Sequence, residues 1–207
     1  MINGTDSPHV SALRHHRLTV FALVVALVVG LVAVRLVLAH RGPSASGAVA
    51  TTAAVGRVAP VGPFTTTSDH SANLASYIGG RPTMVWFVVA GCASCAVSIP
   101  AVAQHLHQLA SDHVHVVVLD LYGDLGSGKI ATTDLAEFGG AAAGAQYASP
   151  TWIWGLASKA LSYAYDPSGT PDEYFLIASN GHIVYQNSVP VSTMPQLLAA
   201  AAAAASG

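Results

Sequence analysis

The sequence predicts an α/β domain, a mixed sheet flanked by helices, behind an N-terminal transmembrane helix. Three observations lead there. An unbroken apolar run lies near the start of the 207-residue chain. Two β-branched runs in the middle are separated by one helical stretch. A hairpin pattern and an alanine-rich helical pattern close the chain. Strand–helix–strand followed by a hairpin and a helix describes a mixed sheet and not a purely parallel one.

Residues 1–17 are polar and carry Arg14, His15, His16 and Arg17. They read as a cytoplasmic tail. Residues 18–39 read as a transmembrane anchor, because about 20 apolar residues cross a bilayer and Arg35 can snorkel to the interface. A cleaved signal peptide ending at Val37-Leu38-Ala39 is the competing reading, but its apolar core is usually only about 7–15 residues long. Charge around the span is nearly balanced, with Arg14 and Arg17 before it and Arg35 and Arg41 at its far end. An exported C-terminal part is the usual arrangement for such an anchor. The expected location is therefore the cell membrane, single-pass, with the C-terminal domain extracytoplasmic. Residues 40–63 are rich in Gly, Ala, Ser, Thr and Pro and read as a flexible linker. The folded domain is placed at residues 64–207.

Within that domain, Phe64–Thr67 reads as a short strand and Leu74–Tyr77 as a turn of helix. Thr83–Ala90 and Val114–Leu121 are continuous β-branched or aromatic runs, as in strands buried on both faces. Cys92–Leu109 reads as a helix with apolar positions at Val97, Ala101, Val102, Leu106 and Leu109. Thr133–Phe138 is helical, with Thr132 or Thr133 as its cap. Trp152 and Trp154 read as core residues of a strand. Tyr174–Ala178 and His182–Tyr185 pair through the turn Ser179-Asn180-Gly181. Thr193 caps the last helix.

Charged residues make up only 9% of the chain, against about 25% in typical soluble domains. The net charge of -2 and the scattered Lys and Arg exclude nucleic acid as a partner. So few carboxylates also suggest a protein that tolerates acid.

The chemistry lies in the two cysteines, Cys92 and Cys95, the pair of a CxxC motif. Cys92 falls where a buried strand ends and a helix begins, so its sulfur should face unpaired N–H groups and the positive end of the helix dipole. That setting favours thiolate, the species that attacks disulfides. Cys95, one turn deeper, is close enough to resolve a mixed disulfide. A zinc site would need about two more ligands. His105 and His107 lie on different helix faces, two to three turns away, and make a poor pair. No metal and no cofactor are expected.

The segment Pro82-Thr-Met-Val-Trp-Phe-Val-Val-Ala-Gly-Cys-Ala-Ser-Cys-Ala-Val-Ser-Ile-Pro100 resembles the active-site segment of thioredoxin-like proteins of the TlpA type. These are extracytoplasmic, often membrane-tethered thiol-disulfide oxidoreductases. Pro100 matches the family's helix-bending proline. Gly169-Thr170-Pro171-Asp-Glu-Tyr-Phe-Leu-Ile-Ala-Ser-Asn-Gly181 is similar to the family's cis-proline segment and hairpin. The resemblance implies a thioredoxin-like fold, catalytic Cys92 and Cys95, and a cis Pro171 facing them. It also implies that Thr170 and Pro171 bind the substrate peptide in a strand-like mode. The implied partners are thiols or disulfides of exported proteins and a membrane redox protein that resets the pair.

The sequence departs from the family at several points. Gly91 replaces an aromatic residue before the first cysteine. Trp86 stands where thioredoxin has a buried acid, and Ser98 where some members have a glutamate. No carboxylate is evident to accept the proton of Cys95. Asp172 and Glu173 are candidates, although surface-loop carboxylates are the simpler reading. The segment after Pro171 is one residue longer than usual, as a bulge would make it. A peroxidase is disfavoured, since Val88-Val-Ala-Gly91 lacks the required threonine and proline. Two alternatives remain on the same fold: a copper-binding or metallochaperone module, and a redox-inactive docking domain.

Overall fold

The computed structural model describes residues 53–123 and 130–206. The segments read as cytoplasmic tail and transmembrane anchor lie outside the described residues. Among the described residues, no helix is long and apolar enough to cross a membrane.

The strands are β1 (Pro63–Thr66), β2 (Ser71–Asn73), β3 (Thr83–Val88), β4 (His115–Asp120), β5 (Trp152–Ala157), β6 (Glu173–Ile177) and β7 (Ile183–Ser188). The helices are α1 (Ala93–Ser111), α2 (Thr132–Ala143), α3 (Lys159–Tyr165) and α4 (Pro190–Ser206), with short 3₁₀ turns at Leu74–Ser76 and Gly144–Ala148. The strands form one sheet in the order β2-β1-β5-β4-β3-β6-β7. β3, β4 and β5 run parallel, whereas β6 pairs with β3, β7 with β6, and β1 with β5 in antiparallel register. The sheet is mixed, as the sequence predicts.

β3 and β4 have no exposed residue. Because side chains alternate across a strand, each face of the sheet builds its own core. Met84, Trp86, Val88, Val116, Val118, Tyr174 and Leu176 lie on one face with Cys95, Ile99, Val102 and Leu106 of α1 and Leu197 of α4. Val85, Phe87, Val117, Leu119, Phe175 and Ile177 lie on the other, with Leu161 and Tyr165 of α3. Trp152 and Trp154 pack in the first core, as expected, with ring centroids 5.0 Å apart. Burial of this kind stabilises by about 25 cal/mol per Å² of apolar surface.

Three differences from the sequence reading are physical. First, residues 53–62 are not a loose linker. Ala53 and Ala59 are buried, Ala53 N donates to Ala164 O at 2.7 Å, and Gly56 N donates to Ile183 O at 2.8 Å. The folded unit therefore begins upstream of Phe64. Second, α2 starts at Thr132 with Ala131 as its N-cap, and Asp134 closes back on the Ala131 N–H at 3.1 Å. Third, Thr193 interrupts the last helix at φ -121 instead of starting it. Its hydroxyl donates to Ser188 O and Val189 O and accepts from Tyr174.

His115 opens β4 and is buried, stacked on Tyr77 with ring centroids 5.5 Å apart. Its Nε2 has no hydrogen-bond partner. Burial, and secondarily Arg81, lower its pKa from 6.5 to about 4. The fold therefore holds His115 neutral, while the unfolded chain takes up a proton below pH 6.5. Stability from this residue is complete above that pH and is lost as pH falls toward 4, by about 3 kcal/mol at about 1.4 kcal/mol per pH unit. This works against the acid tolerance inferred from composition. Urea unfolding at pH 7 and pH 4 should show a loss about 3 kcal/mol larger in the wild type than in His115→Phe, which keeps the ring stack. Equal losses in the two proteins would contradict this assignment.

Candidate active site

The site forms where β3 ends. Asp120, the last residue of β4, accepts the Ala90 N–H at 2.9 Å and fixes the loop. The chain then turns, with Cys92 N donating to Val89 O at 3.0 Å and Gly91 at φ +83. A side chain with a bulky Cβ would strain that backbone, and glycine takes it freely.

Cys92 is the N-cap of α1, with φ -66 and ψ 126. Its Sγ accepts the Cys95 N–H at 3.3 Å and satisfies one of the helix's unpaired donors. The Cys95 thiol donates to Cys92 Sγ at 2.8 Å. Cys92 is half-buried and Cys95 is fully buried. The structure thus brings the two predicted catalytic cysteines together at a helix start. Burial, and next the contact with Cys92, push the Cys95 pKa far up, so Cys95 is the thiol that keeps its proton. Pro100 lies inside α1, which continues through it.

The predicted binding pair sits differently. Among the described residues there is no cis peptide bond, so Pro171 is trans, contrary to expectation. The turn is made one residue later, by Asp172 at φ +73. Asp is among the few residue types that enter this left-handed region readily. Asp172 N donates to Phe87 O at 2.8 Å, and Val189 N donates to Asp172 O at 2.8 Å. The extra residue noted in the sequence is thereby stitched to β3 on one side and to the approach to α4 on the other. Thr170 is exposed, and its hydroxyl meets Ser168 Oγ at 2.9 Å.

Asp172 is not the surface-loop carboxylate of the simpler sequence reading, for it is 0% exposed. Trp86 Nε1 donates to its Oδ1 at 2.9 Å, and Ser98 Oγ donates to its Oδ2 at 2.9 Å. Trp86 and Ser98 are the two positions at which the sequence lacks an expected acid. Here both are donors, and the acid comes from the Pro171 loop. Burial raises the Asp172 pKa above its ordinary value, and the hydrogen bonds from Ser98 and Trp86 only partly offset it. The sequence held one signal for this, since a buried indole N–H and a buried hydroxyl on facing elements need an acceptor between them.

His105 Nδ1 is 2.9 Å from Ala101 O of its own helix and does not approach the pair. Among the described residues, no group of three or more His, Cys, Asp and Glu could hold a metal ion.

With this geometry in hand, comparison with known proteins identifies the fold. No family model matches the chain, and no curated protein sequence matches it. Solved structures do. A putative protein disulfide isomerase from Bacteroides thetaiotaomicron is 18% identical, covering 71% of this chain and 87% of that one, with a TM-score of 0.54. The thioredoxin domain of a thiol-disulfide oxidoreductase from Bacteroides vulgatus is 18% identical over 71% and 99% of the two chains, with a TM-score of 0.54. A putative thiol:disulfide interchange protein DsbE from Chlorobium tepidum is 19% identical over 72% and 99%, with a TM-score of 0.52. The chain has a thioredoxin-like fold.

A carboxylate whose pKa is raised by folding destabilises the fold when it is ionised. That cost is absent at low pH and grows as pH rises past the unfolded value of 3.8. Asp172→Asn keeps an acceptor for Trp86 and removes the charge. Its thermal midpoint should exceed that of the wild type at pH 7, with the gap closing near pH 3. A lower midpoint at pH 7 would show that Asp172 is instead a stabilising structural acceptor.

Proposed function

We propose that this protein is a membrane-anchored thiol-disulfide oxidoreductase acting on disulfides or dithiols of exported proteins. One observation carries the reading: Cys92 Sγ sits at the start of α1 and receives both the Cys95 N–H and the Cys95 thiol. Those two donors stabilise a sulfur that carries negative charge.

In the reducing direction, the Cys92 thiolate attacks one sulfur of a partner disulfide. A Cys92–partner bond forms, the partner's S–S bond breaks, and one partner thiolate leaves. Cys95 attacks Cys92 Sγ as its proton passes to the first partner thiolate, so the Cys92–Cys95 bond forms and the second partner thiolate is released. The partner gains two electrons and the cysteine pair loses them. In the oxidising direction the same steps run backwards. The exposed Thr170 and the adjacent Pro171 offer backbone to an extended partner segment. A membrane redox protein resets the pair, and no cofactor enters the cycle. Residues 18–39 hold the domain at the outer face of the cell membrane.

Nothing in the site favours copper over exchange chemistry. Two thiolates suit Cu(I), but among the described residues no third ligand stands with them.

The detergent-solubilised full chain should reduce insulin disulfides with dithiothreitol as electron source. Cys92→Ser should lower that rate to the uncatalysed background, and Cys95→Ser should accumulate a mixed disulfide with the partner. Pro171→Ala should reduce the yield of that trapped complex several-fold. A Cys92→Ser protein with wild-type activity would make the chain a docking domain. Stoichiometric copper in the purified protein, with no exchange activity, would support the metallochaperone alternative. A membrane-impermeant maleimide applied to intact cells should label Cys92, and protection until lysis would contradict the extracytoplasmic placement.

A further inference from the structure

The end of the sheet opposite the cysteines holds a cavity of about 460 Å³. β3 starts beside it, at Thr83, and runs away from it toward Cys92. Arg81, His113, His115 and Ser179 give its walls their polar groups, and Val114 and Ala204 give apolar surface. The walls are stitched together by backbone. Gly80 N donates to Ser179 O at 3.0 Å, His115 N to Pro82 O at 3.0 Å, and Val116 N to Thr151 O at 2.9 Å. The cavity is therefore part of the rigid frame and is formed before any ligand arrives.

Its electrostatics have one sign. Neither Asp nor Glu lines it, and Asp112, next to His113 in the chain, stands outside its walls. Among the described residues Arg81 has no carboxylate partner. His115 is buried, and its Nε2 has no hydrogen-bond partner. α1 and α4 both end here, and a helix C-terminus carries about half a negative charge on its unpaired carbonyls. Those carbonyls are largely occupied. In α1, Gln108, Ala110 and Leu109 accept from the N–H groups of Asp112, His113 and Val114. In α4, Ala202 and Ala203 accept from the Ser206 hydroxyl. The guanidinium sets the sign.

We propose that this cavity binds an organic phosphate, with Arg81 holding the phosphoryl group. A guanidinium presents a planar fork of donors that matches two phosphate oxygens. The imidazoles of His113 and His115 and the Ser179 hydroxyl can donate to the remaining oxygens. The volume lies in the range of small-molecule sites, so there is room for an organic group against Val114 and Ala204. A lipid headgroup and a soluble phosphate ester share this chemistry. The site does not depend on the exchange function, because Cys92 lies past the other end of β3.

Calorimetry of the full chain with glycerol 3-phosphate tests the site. It is run in dodecyl maltoside micelles, which contain no phosphate, and again in the same micelles doped with phosphatidylglycerol. The wild type should bind a single equivalent in the undoped micelles. Arg81→Gln should weaken binding at least about tenfold, as the loss of a charge-assisted hydrogen bond does. Arg81→Lys keeps the charge without the fork and should fall between the two. Lys159→Gln removes the same charge beyond the other end of the sheet and should match the wild type. Circular dichroism of each variant confirms the fold before affinities are compared. Displacement of glycerol 3-phosphate by phosphatidylglycerol would support the site with a lipid headgroup as its ligand. Undiminished binding in the doped micelles would support it with a soluble ester. A wild type that binds nothing, or an Arg81→Gln protein with wild-type affinity, would overturn it. Equal weakening in Arg81→Gln and Lys159→Gln would also overturn it, by reducing the effect to net charge.

Discussion

The junction between β3 and α1 imposes two demands on one residue. A helix start leaves N–H groups without partners, and a strand buried on both faces allows no loose backbone at its exit. Cys92 answers both by capping α1 with its sulfur, where helices in general use a hydroxyl, carboxylate or amide oxygen. The Cys92 sulfur is thus held in place by the same hydrogen bond that completes the helix. Asp120 and Gly91 fix the approach, so the position of the sulfur is set from the strand side as well.

The second constraint is the polar island inside the first core. Trp86, Ser98 and Asp172 come from a strand, a helix and a loop, and each is fully buried. A buried carboxylate is tolerated where its oxygens are satisfied, and here Trp86 takes one and Ser98 the other. This links the Pro171 loop to the helix that carries the cysteines. A displacement of that loop would move the carboxylate relative to the helix that carries the cysteines.

Much of the fold was legible in the sequence because its signals were local and strong. The two β-branched runs, the helix after Cys92 and the Ser179-Asn180-Gly181 hairpin all form where their patterns place them. The interior of the site was less legible. Trp86 and Ser98 read as missing acids, because a substitution shows what is absent at a position and not what another element brings to it. Asp172 looked like a loop residue, since its burial depends on a left-handed turn that pattern reasoning does not reveal. The short helix α3 lacked a long enough period to be read. Residues 53–62 resembled linker by composition, although their backbone is bonded to α3 and β7.

Asp172 and Cys95 are both shut away from solvent. Dissolved ions screen charges that water can reach, over a Debye length of about 8 Å at physiological ionic strength, and act far less on charges inside a packed core. The field acting on these two groups is therefore governed by fixed hydroxyl and indole dipoles. The domain's low density of surface charge leaves little else for salt to modulate. The interior of the site would keep the same local field in dilute and in saline surroundings.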